Sequence, residues 1–403
     1  MKSNNLISIR NEKMKKINLR KNIMHFIAVF LTTFVLLYLI AIYSNIPFVA
    51  KCRSLYIETA MSTMTHQWLA TKFIPKSVID DVISQRDNPE IKKGDGSNGF
   101  IAKIKNLLHL NGKEWFVALF DEINMESFDK YTENNPDVLN DGYENILIDE
   151  SKIGDAQTGI VTNQGDNVVA IDSKNKILII EVKGEGYNGR LAIAKDSSKI
   201  KVGMAEGVKE NKKIEGSQID ELSKYNNAII SINASGFVDY DGNGNGGQPI
   251  GAIIENGKII NNPVGGNWFT VGFDYNDMML IGRNIPDGEL RDAVEFMPAL
   301  IIDGVKQVEG SSGWGIQPRT AIGQKANSEV LMLVVDGRQI GHSIGTTVGE
   351  CANIMERYGA VQAINLDGGA SSIMYYNNHP VTIPAIQYDV GRWIPNIIMV
   401  ENQ

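Results

Sequence analysis

The sequence has little of what several common protein classes require. It has only two cysteines, Cys52 and Cys351, in 403 residues. They stand far apart, which argues against a disulfide scaffold and against a cysteine-rich metal site. Lys and Arg number 39 against 47 Asp and Glu, a formal net charge of −8, so we expect no extended nucleic-acid-binding face. The five histidines form neither an HExxH zinc motif nor a Ser-His-Asp arrangement.

Long apolar stretches are also absent, with one exception near the N-terminus. Residues 23–43 contain no Asp, Glu, Lys or Arg, and about 20 such residues are enough to cross the hydrocarbon of a bilayer as a helix. Seven Lys and Arg precede the segment and only Lys51 and Arg53 closely follow it, so the positive-inside rule predicts a cytoplasmic N-terminus. A cleaved secretion signal is the alternative, but Phe48-Val49-Ala50 places a bulky ring where a cleavage site needs a small residue. We therefore predict a single-pass protein of the cell membrane with an extracellular C-terminal domain.

The chain divides into four predicted parts: a basic cytoplasmic tail (1–22), a transmembrane helix (23–43), an extracytoplasmic stalk and variable region (44–154) and a folded domain (155–403). Between residues 87 and 150, Asn, Asp and Gly are frequent, which is typical of turns and linkers.

Short β-branched runs bounded by Gly, Asn or Asp begin after residue 155 and predict strands. The predicted strands are 176–182, 190–194, 228–232, 299–302, 329–335 and 396–400. Helical patterns lie between them, at 217–226, 289–297 and 346–358. The irregular order of strands and helices predicts an α+β fold, with a mixed β-sheet core and a few packed helices.

The most informative motif is NLDGGASS, residues 365–372, which follows an apolar run at the end of a predicted strand. Its glycines allow the backbone to approach a ligand closely, and its amide and hydroxyl groups suit an anion. Asp367 has the chemistry of an acid, a base or an acceptor for a sugar hydroxyl. A tight turn with Asp and Gly in their usual places is the alternative. The candidate substrate-binding residues of this motif are Asn365, Gly368, Gly369, Ser371 and Ser372.

Arginines occur at three similar positions, and a guanidinium binds phosphate through a bidentate fork. Arg319 begins an apolar strand in PRTAIG, Arg338 follows Asp336 in VVDGR, and Arg392 lies in GRWIPN. A surface arginine that pairs with a carboxylate is the alternative at each position.

Three further residues are candidates with structural alternatives. Glu350 follows Thr347 by three residues, the spacing of a capping box, so it is either a helix cap or a catalytic carboxylate. Asn233 ends a predicted strand in INASGF, and its side chain would face the same rim if the strands ran parallel in the sheet. His342 is either a proton-transfer group or a solvated loop histidine.

The segment 239–245, DYDGNGN, resembles the start of a calcium-binding loop. Ile250 stands at the twelfth position, where an EF-hand has Glu, so an EF-hand is excluded. The sequence therefore assigns no metal ligand and no required cofactor, and a looser divalent cation site remains the alternative. The glycines of this region do not spell a dinucleotide fingerprint.

Six segments, in this order, resemble the phosphodiester glycosidase family: INASGF, GNGNGG with the following QPIG, PRTAIG, VVDGR, GTTVGECANIM and NLDGGASS. The resemblance covers about residues 155–402, and its specificity comes from the order of the motifs. The N-terminal layout looks like that of bacterial members labelled exopolysaccharide biosynthesis proteins. The resemblance implies hydrolysis of a sugar-1-phosphodiester. The matching motif positions are Asn233, Arg319, Asp336, Glu350, Asn365, Asp367 and Arg392.

Residues and resemblance together predict a membrane-anchored hydrolase that cleaves a glycosyl phosphodiester in a cell-surface polysaccharide or wall polymer. Arg319 and Arg392 would hold the phosphate and stabilise its charge during the reaction, and Asp367, Asp336 or Glu350 would act at the anomeric carbon. A noncatalytic polysaccharide-binding or assembly protein that retains the pocket is the alternative. Both hypotheses require Arg319 and Asp367 to share one cavity.

Overall fold

A computed structural model describes most of the chain. The described residues are 2–63, 66–87, 91–92, 110–152, 158–209, 215–239, 244–263, 266–386 and 389–402. The α-helices in this part are α1 (Lys2–Tyr43), α2 (Pro47–Met61), α3 (Trp68–Thr71), α4 (Lys76–Asp87), α5 (Gly112–Leu119), α6 (Met125–Asn134), α7 (Glu206–Lys209), α8 (Ile219–Tyr225) and α9 (Val348–Arg357).

The strands are β1 (Leu147–Asp149), β2 (Val168–Asp172), β3 (Ile177–Gly184), β4 (Tyr187–Ala194), β5 (Ile200–Met204), β6 (Ala228–Asn233), β7 (Ile253–Glu255), β8 (Lys258–Asn261), β9 (Phe269–Asp274), β10 (Met279–Gly282), β11 (Leu290–Phe296), β12 (Ala299–Ile302), β13 (Val305–Lys306), β14 (Arg319–Lys325), β15 (Val330–Val335), β16 (Ala360–Asn365), β17 (Met374–Tyr376), β18 (His379–Pro380) and β19 (Asn396–Glu401).

These strands form three sheets whose neighbouring strands all run antiparallel. A nine-stranded sheet has the order β1-β2-β3-β4-β15-β14-β16-β12-β13. Two five-stranded sheets have the orders β10-β9-β11-β7-β8 and β18-β17-β6-β19-β5. Every residue of β15 is buried, as expected for a strand covered on both faces.

The core lies on both sides of the nine-stranded sheet. One face packs against the two smaller sheets, and the opposite face packs against α5, α6 and α9. Helix α8 covers the outer face of the sheet that contains β6 and β19. The α+β fold and the six predicted strands are confirmed, and α8 and α9 lie at two of the three predicted helical patterns.

The predicted helix at 289–297 is wrong, because residues Leu290–Phe296 form β11. This strand pairs with β9 and with β7, and five of its seven residues are buried. Tertiary pairing therefore overrides the local helical pattern.

The predicted linker between residues 87 and 150 is also wrong for its second half. Phe116 in α5 and Phe128 in α6 are fully buried in the core beside α9, and β1 is the edge strand of the nine-stranded sheet. Asn, Asp and Glu are frequent around these two helices, so the composition of this region resembled that of a linker. Residues 110–149 therefore contribute to the same core as the strands that follow them.

The N-terminal helix and the segment after it form a separate apolar cluster. Within α1, residues Arg20–Tyr43 are long and apolar enough to cross a membrane or to be a signal sequence. Helices α2, α3 and α4 pack together beside Ile42. The hydroxyl of Tyr38 donates to the carbonyl of Phe73 at 2.6 Å, so this helical cluster lies against the end of α1.

Candidate active site

The loop after β16 carries the NLDGGASS motif and is fixed by backbone hydrogen bonds to two neighbouring chain segments. The amides of Leu366 and Gly369 donate to the carbonyls of Thr320 and Pro318, at 2.8 and 2.9 Å. The Asp367 amide donates to Ala234 at 3.0 Å. The motif therefore lies where β16, β14 and β6 meet.

Asn233 shapes this loop from within the fold. Its side-chain amide donates to the carbonyl of Asp367 at 2.7 Å. Its Oδ1 accepts from the Thr320 hydroxyl at 2.7 Å and from the Ile373 amide at 3.1 Å. The parallel arrangement considered for these strands is wrong, because β6 and β16 belong to different antiparallel sheets. Asn233 nevertheless reaches the predicted site, as a buried support for Asp367.

Two buried oxygens of the motif have no hydrogen-bond partner within the described residues: Oδ1 of Asn365 and Oγ of Ser372. The amide nitrogen of Asn365 donates to the carbonyls of Met297 and Leu366, at 3.0 and 2.9 Å. Buried polar atoms in proteins are usually satisfied, so unpaired ones often mark a place for water or ligand.

Asp367 is a half-buried carboxylate with an altered proton affinity. Burial raises its pKa to about 6, although the Ser371 hydroxyl and the positive charges of Arg392 and Arg338 act in the opposite direction. Perturbed carboxylates of this kind are frequent at catalytic sites. The side chain therefore exchanges protons near neutral pH and has two guanidinium groups in its electrostatic surroundings.

Arg338 approaches Asp367 from the loop after β15. Its backbone has a φ of 62°, and its Nη2 donates to Oε1 of Gln317 at 2.6 Å. A Cβ at Gly369 would lie 3.0 Å from Nη2 of Arg338. Glycine at this position therefore allows the guanidinium to lie against the NLDGGASS loop.

Arg392 lies on the C-terminal side of the motif, in the segment that precedes β19. Its Nη2 donates to Oδ2 of Asp239 at 2.8 Å, and its guanidinium lies 4.6 Å from the ring centroid of Phe237. A Cβ at Gly244 would lie 2.3 Å from the same Nη2. The guanidinium is thus held in place by an aromatic face, an acidic partner and a glycine.

Arg319 does not have the surroundings expected of a phosphate ligand. Its guanidinium is buried and donates to three carbonyls, those of Thr346 at 3.2 Å and of Trp314 and Gly315 at 2.7 Å each. Burial lowers its pKa to about 10. Backbone hydrogen bonds join the chain segments around Arg319 and Asp367, but the Arg319 side chain holds two loops together.

Asp336 and His342 form a pair on the loop that also carries Arg338. Nε2 of His342 lies 2.7 Å from Oδ2 of Asp336, while the Ile383 amide donates to Oδ1 at 3.0 Å. Burial raises the pKa of Asp336, against the effect of His342. His342 keeps 31% of its side chain exposed, so the pair suits proton transfer at a surface.

Glu350 takes the structural position that its spacing from Thr347 indicated. The Thr347 hydroxyl accepts from the Glu350 amide at 3.2 Å and caps α9. The carboxylate accepts from the Tyr187 hydroxyl at 2.8 Å and from Asn353 at 2.9 Å. None of these contacts joins Glu350 to Asp367, and its predicted catalytic role stays a prediction.

Neither candidate for a cation site gains a ligand set from the structure. Residues 240–243 of the calcium-like segment lie outside the described residues, and Asp239 is paired with Arg392. The second candidate is an acidic group formed by Asp121, Glu122 and Glu329. Its carboxylates already form ion pairs with lysine side chains. Lys195 lies 2.6 Å from Glu122, and Lys325 lies 2.6 Å from Glu329.

Comparison with known proteins finds a family that resembles the segment containing these residues. Residues 226–401, just under half of the chain, match the model of the phosphodiester glycosidase family. A relative in Bacillus subtilis (strain 168), the SPbeta prophage-derived uncharacterized protein YomE, is 26% identical over 165 residues. That alignment covers 38% of this chain and only 24% of the relative.

Solved structures show a more distant similarity. The catalytic domain of zebrafish N-acetylglucosamine-1-phosphodiester alpha-N-acetylglucosaminidase is 17% identical with a TM-score of 0.46, over 56% of this chain and 82% of that one. A hypothetical protein from Synechocystis is 14% identical with a TM-score of 0.43, over 60% and 65% of the two chains. The family match includes all six motifs. It confirms the resemblance of residues 226–401 to the phosphodiester glycosidases and supports a hydrolase-type function on a glycan-type substrate.

Proposed function

We propose that this protein is a membrane-anchored hydrolase that cleaves a sugar-1-phosphodiester in a cell-surface polysaccharide or wall polymer, outside the cytoplasm. One observation carries the proposal: a half-buried carboxylate, Asp367, with a pKa of about 6 and with Arg338 and Arg392 in its electrostatic surroundings. The family match supports the reaction type. The apolar helix Arg20–Tyr43 supports the membrane location.

The two arginines suit the anionic part of such a substrate. A phosphodiester carries one negative charge, and guanidinium groups bind its oxygens through charge-assisted hydrogen bonds. Among the described residues, the Arg338 side chain is held by Gln317 and the Arg392 side chain by Asp239. In our proposal they bind the phosphate, and Arg319 takes no direct part in binding it.

Asp367 then acts at the sugar. Cleavage of the C1–O bond passes through a transition state with positive charge at the anomeric carbon, which a carboxylate stabilises. The departing phosphate is a good leaving group and needs little protonation, so the ionised form of Asp367 is the active one. The Ser371 hydroxyl, hydrogen-bonded to this carboxylate, restricts its orientation.

The test is hydrolysis of a panel of synthetic sugar-1-phosphodiesters by the full-length protein in detergent, with Asp367→Asn as the inactive control. Release of free sugar and a phosphomonoester by the wild type alone supports the proposal. Reaction in ¹⁸O-labelled water identifies the bond that breaks: label in the sugar indicates C–O cleavage, and label in the phosphate indicates P–O cleavage. Absence of turnover across the panel would count against an enzyme.

A noncatalytic polysaccharide-binding or assembly protein is the second candidate, because the same arginines suit an anionic polymer. Retention of polymer by the wild type without turnover, lost on Arg392→Leu, would favour it.

A further inference from the structure

Helix α2, four residues beyond the apolar span, reaches the loop that precedes β14. The Thr59 hydroxyl accepts from the Ile316 amide at 3.1 Å, and the Ser62 hydroxyl donates to the Trp314 carbonyl at 3.3 Å. From α4, Arg86 lies 4.9 Å from the ring centroid of Trp314. The juxtamembrane helices are therefore docked on the folded domain at this loop.

One contact of this interface leads to the candidate active site. The side-chain amide of Gln317 donates to the carbonyl of Thr59 at 3.0 Å. This carbonyl lies in the last turn of α2, where helix carbonyls lack intrahelical partners, and the Thr63 amide donates to Ala60 instead. The other end of the same amide group accepts from Nη2 and Nε of Arg338, at 2.6 and 3.3 Å.

The orientation of Gln317 follows from the chemistry of its partners. A carbonyl only accepts hydrogen bonds, and a guanidinium only donates them. The Gln317 side chain is buried, and the Thr59 carbonyl fixes which end is nitrogen. The oxygen must then face Arg338.

We propose that α2 is part of the anion-binding site: Thr59 orients Gln317, and Gln317 positions Arg338 for the phosphate. The proposal rests on the function proposed above. It makes Gln317 a positioning residue and couples the membrane-proximal helix to substrate binding. Loss of either contact frees the Arg338 guanidinium to leave its place beside the NLDGGASS loop.

Two glycine substitutions form a matched pair: one pushes α2 away from the loop, and the other is its control. Gly315 has a φ of 60°, and a Cβ there would lie 2.5 Å from the Thr59 backbone nitrogen. Gly310 has a φ of 55°, and a Cβ there meets nothing within 4 Å. Gly315→Ala therefore adds a steric wedge against α2, while Gly310→Ala adds only the backbone strain of a positive φ.

The experiment measures binding of inorganic phosphate to the full-length protein in detergent by titration calorimetry. We expect Gln317→Leu and Arg338→Leu each to raise Kd about tenfold or more, as for hydrogen bonds to charged groups. Gly315→Ala should weaken binding more than Gly310→Ala. Gln67→Leu changes a glutamine at the start of α3, whose side-chain amide donates to the Met61 carbonyl, and should leave Kd unchanged.

A double-mutant cycle distinguishes positioning from a general structural effect. If Gln317 acts through Arg338, Gln317→Leu adds no loss in the Arg338→Leu background, and with a substrate in hand it raises KM more than it lowers kcat. If Arg338→Leu weakens binding but the two losses are additive, the positioning role of Gln317 is overturned. The same holds if Arg338→Leu weakens binding while Gln317→Leu keeps the wild-type Kd. Wild-type Kd in Arg338→Leu, or no phosphate binding by the wild type, overturns the anion site of the proposed function and this inference with it.

Discussion

Replacing Asp367 by Asn should stabilise the folded protein at neutral pH and abolish turnover. Burial raises the pKa of this carboxyl group from 3.8 to about 6, so the folded state favours the protonated form. The stability that this group contributes is fully present below pH 3.8 and is lost as the pH rises through 6. Asn stays neutral at every pH and still offers an oxygen to the Ser371 hydroxyl.

The size of the effect follows from the shift in pKa. The pKa of Asp367 rises from 3.8 to about 6 on folding. At about 1.36 kcal/mol for each pKa unit, ionisation of Asp367 destabilises the folded state by at most about 3 kcal/mol at pH 7. At pH 4 the same calculation leaves less than about 1 kcal/mol. Because the side chain is partly exposed, we expect Asp367→Asn to raise the free energy of unfolding by about 1–2 kcal/mol at pH 7.

The measurement is urea unfolding of the full-length protein in detergent at several pH values, followed by tryptophan fluorescence. Asp196→Asn is the control, because hydrogen bonds from Ser198 and the charge of Lys176 lower the pKa of Asp196 in spite of its burial. That variant should lose stability at pH 7. Equal destabilisation by Asp367→Asn at pH 4 and pH 7 would refute the reasoning.

The pH dependence of turnover tests the same carboxylate in the wild type. If the ionised form is active, kcat/KM rises with pH, with an apparent pKa of about 6. A fall in kcat/KM above this pH would instead indicate that Asp367 donates a proton.

Three further predictions concern other parts of the molecule. Gly369→Ala should weaken phosphate binding, because its Cβ would lie 3.0 Å from Arg338, and should cost about 1 kcal/mol of stability through its φ of 62°. The fragment 155–403 should fail to fold stably in proteolysis and circular dichroism experiments, whereas 110–403 should fold, because α5 and α6 complete the core. Glu122→Gln should destabilise the protein by about 3 kcal/mol at pH 7 and by much less near pH 2, because Lys195 and Lys325 lower the pKa of Glu122 to about 2 in spite of its burial.

Each of these predictions has its own control. Gly359→Ala shares a positive φ but meets only the Lys325 side chain, at 3.7 Å, and should leave phosphate binding intact. A stable 155–403 fragment would show that residues 110–149 are dispensable for folding. A pH-independent effect of Glu122→Gln would mean that lost packing, and not lost charge, destabilises this variant.

The sequence predicted the strands of the sheet interior well, because β-branched runs buried on both faces leave a strong local signal. It failed where burial depends on distant partners. Residues 290–296 form a strand through pairing with β9 and β7, and α5 and α6 are short helices in a segment where Asn, Asp and Glu are frequent. The calcium-like segment shows a similar limit, since Asp239 pairs with Arg392, 153 residues away.

The candidate site could be predicted from the sequence where one short motif contributes most of its residues. NLDGGASS combines an acid, glycines and hydroxyls within eight residues, and all of them lie in one loop. Gln317 and Thr59 had no such signal, because a glutamine and a threonine acquire their roles only from contacts across 258 residues. His342 had a partial signal from its short distance in sequence to Asp336.

Arg319 and Arg338 differ in where their side chains point, and this difference follows from their positions relative to the strands. Side chains alternate between the two faces of a strand, and Arg319, the first residue of β14, lies opposite Val335 of β15. Val335 and Ala321 face the core beside α9, so the Arg319 side chain is directed into the protein and its donors bind carbonyls there. Arg338 lies beyond the end of β15, where no sheet neighbour fixes its direction, and a positive φ turns it toward Gly369. Side chains of strand residues pack in the core, whereas side chains of loop residues remain available to ligands. In our proposal the arginine just after a strand, and not the arginine at the start of one, therefore binds the phosphate.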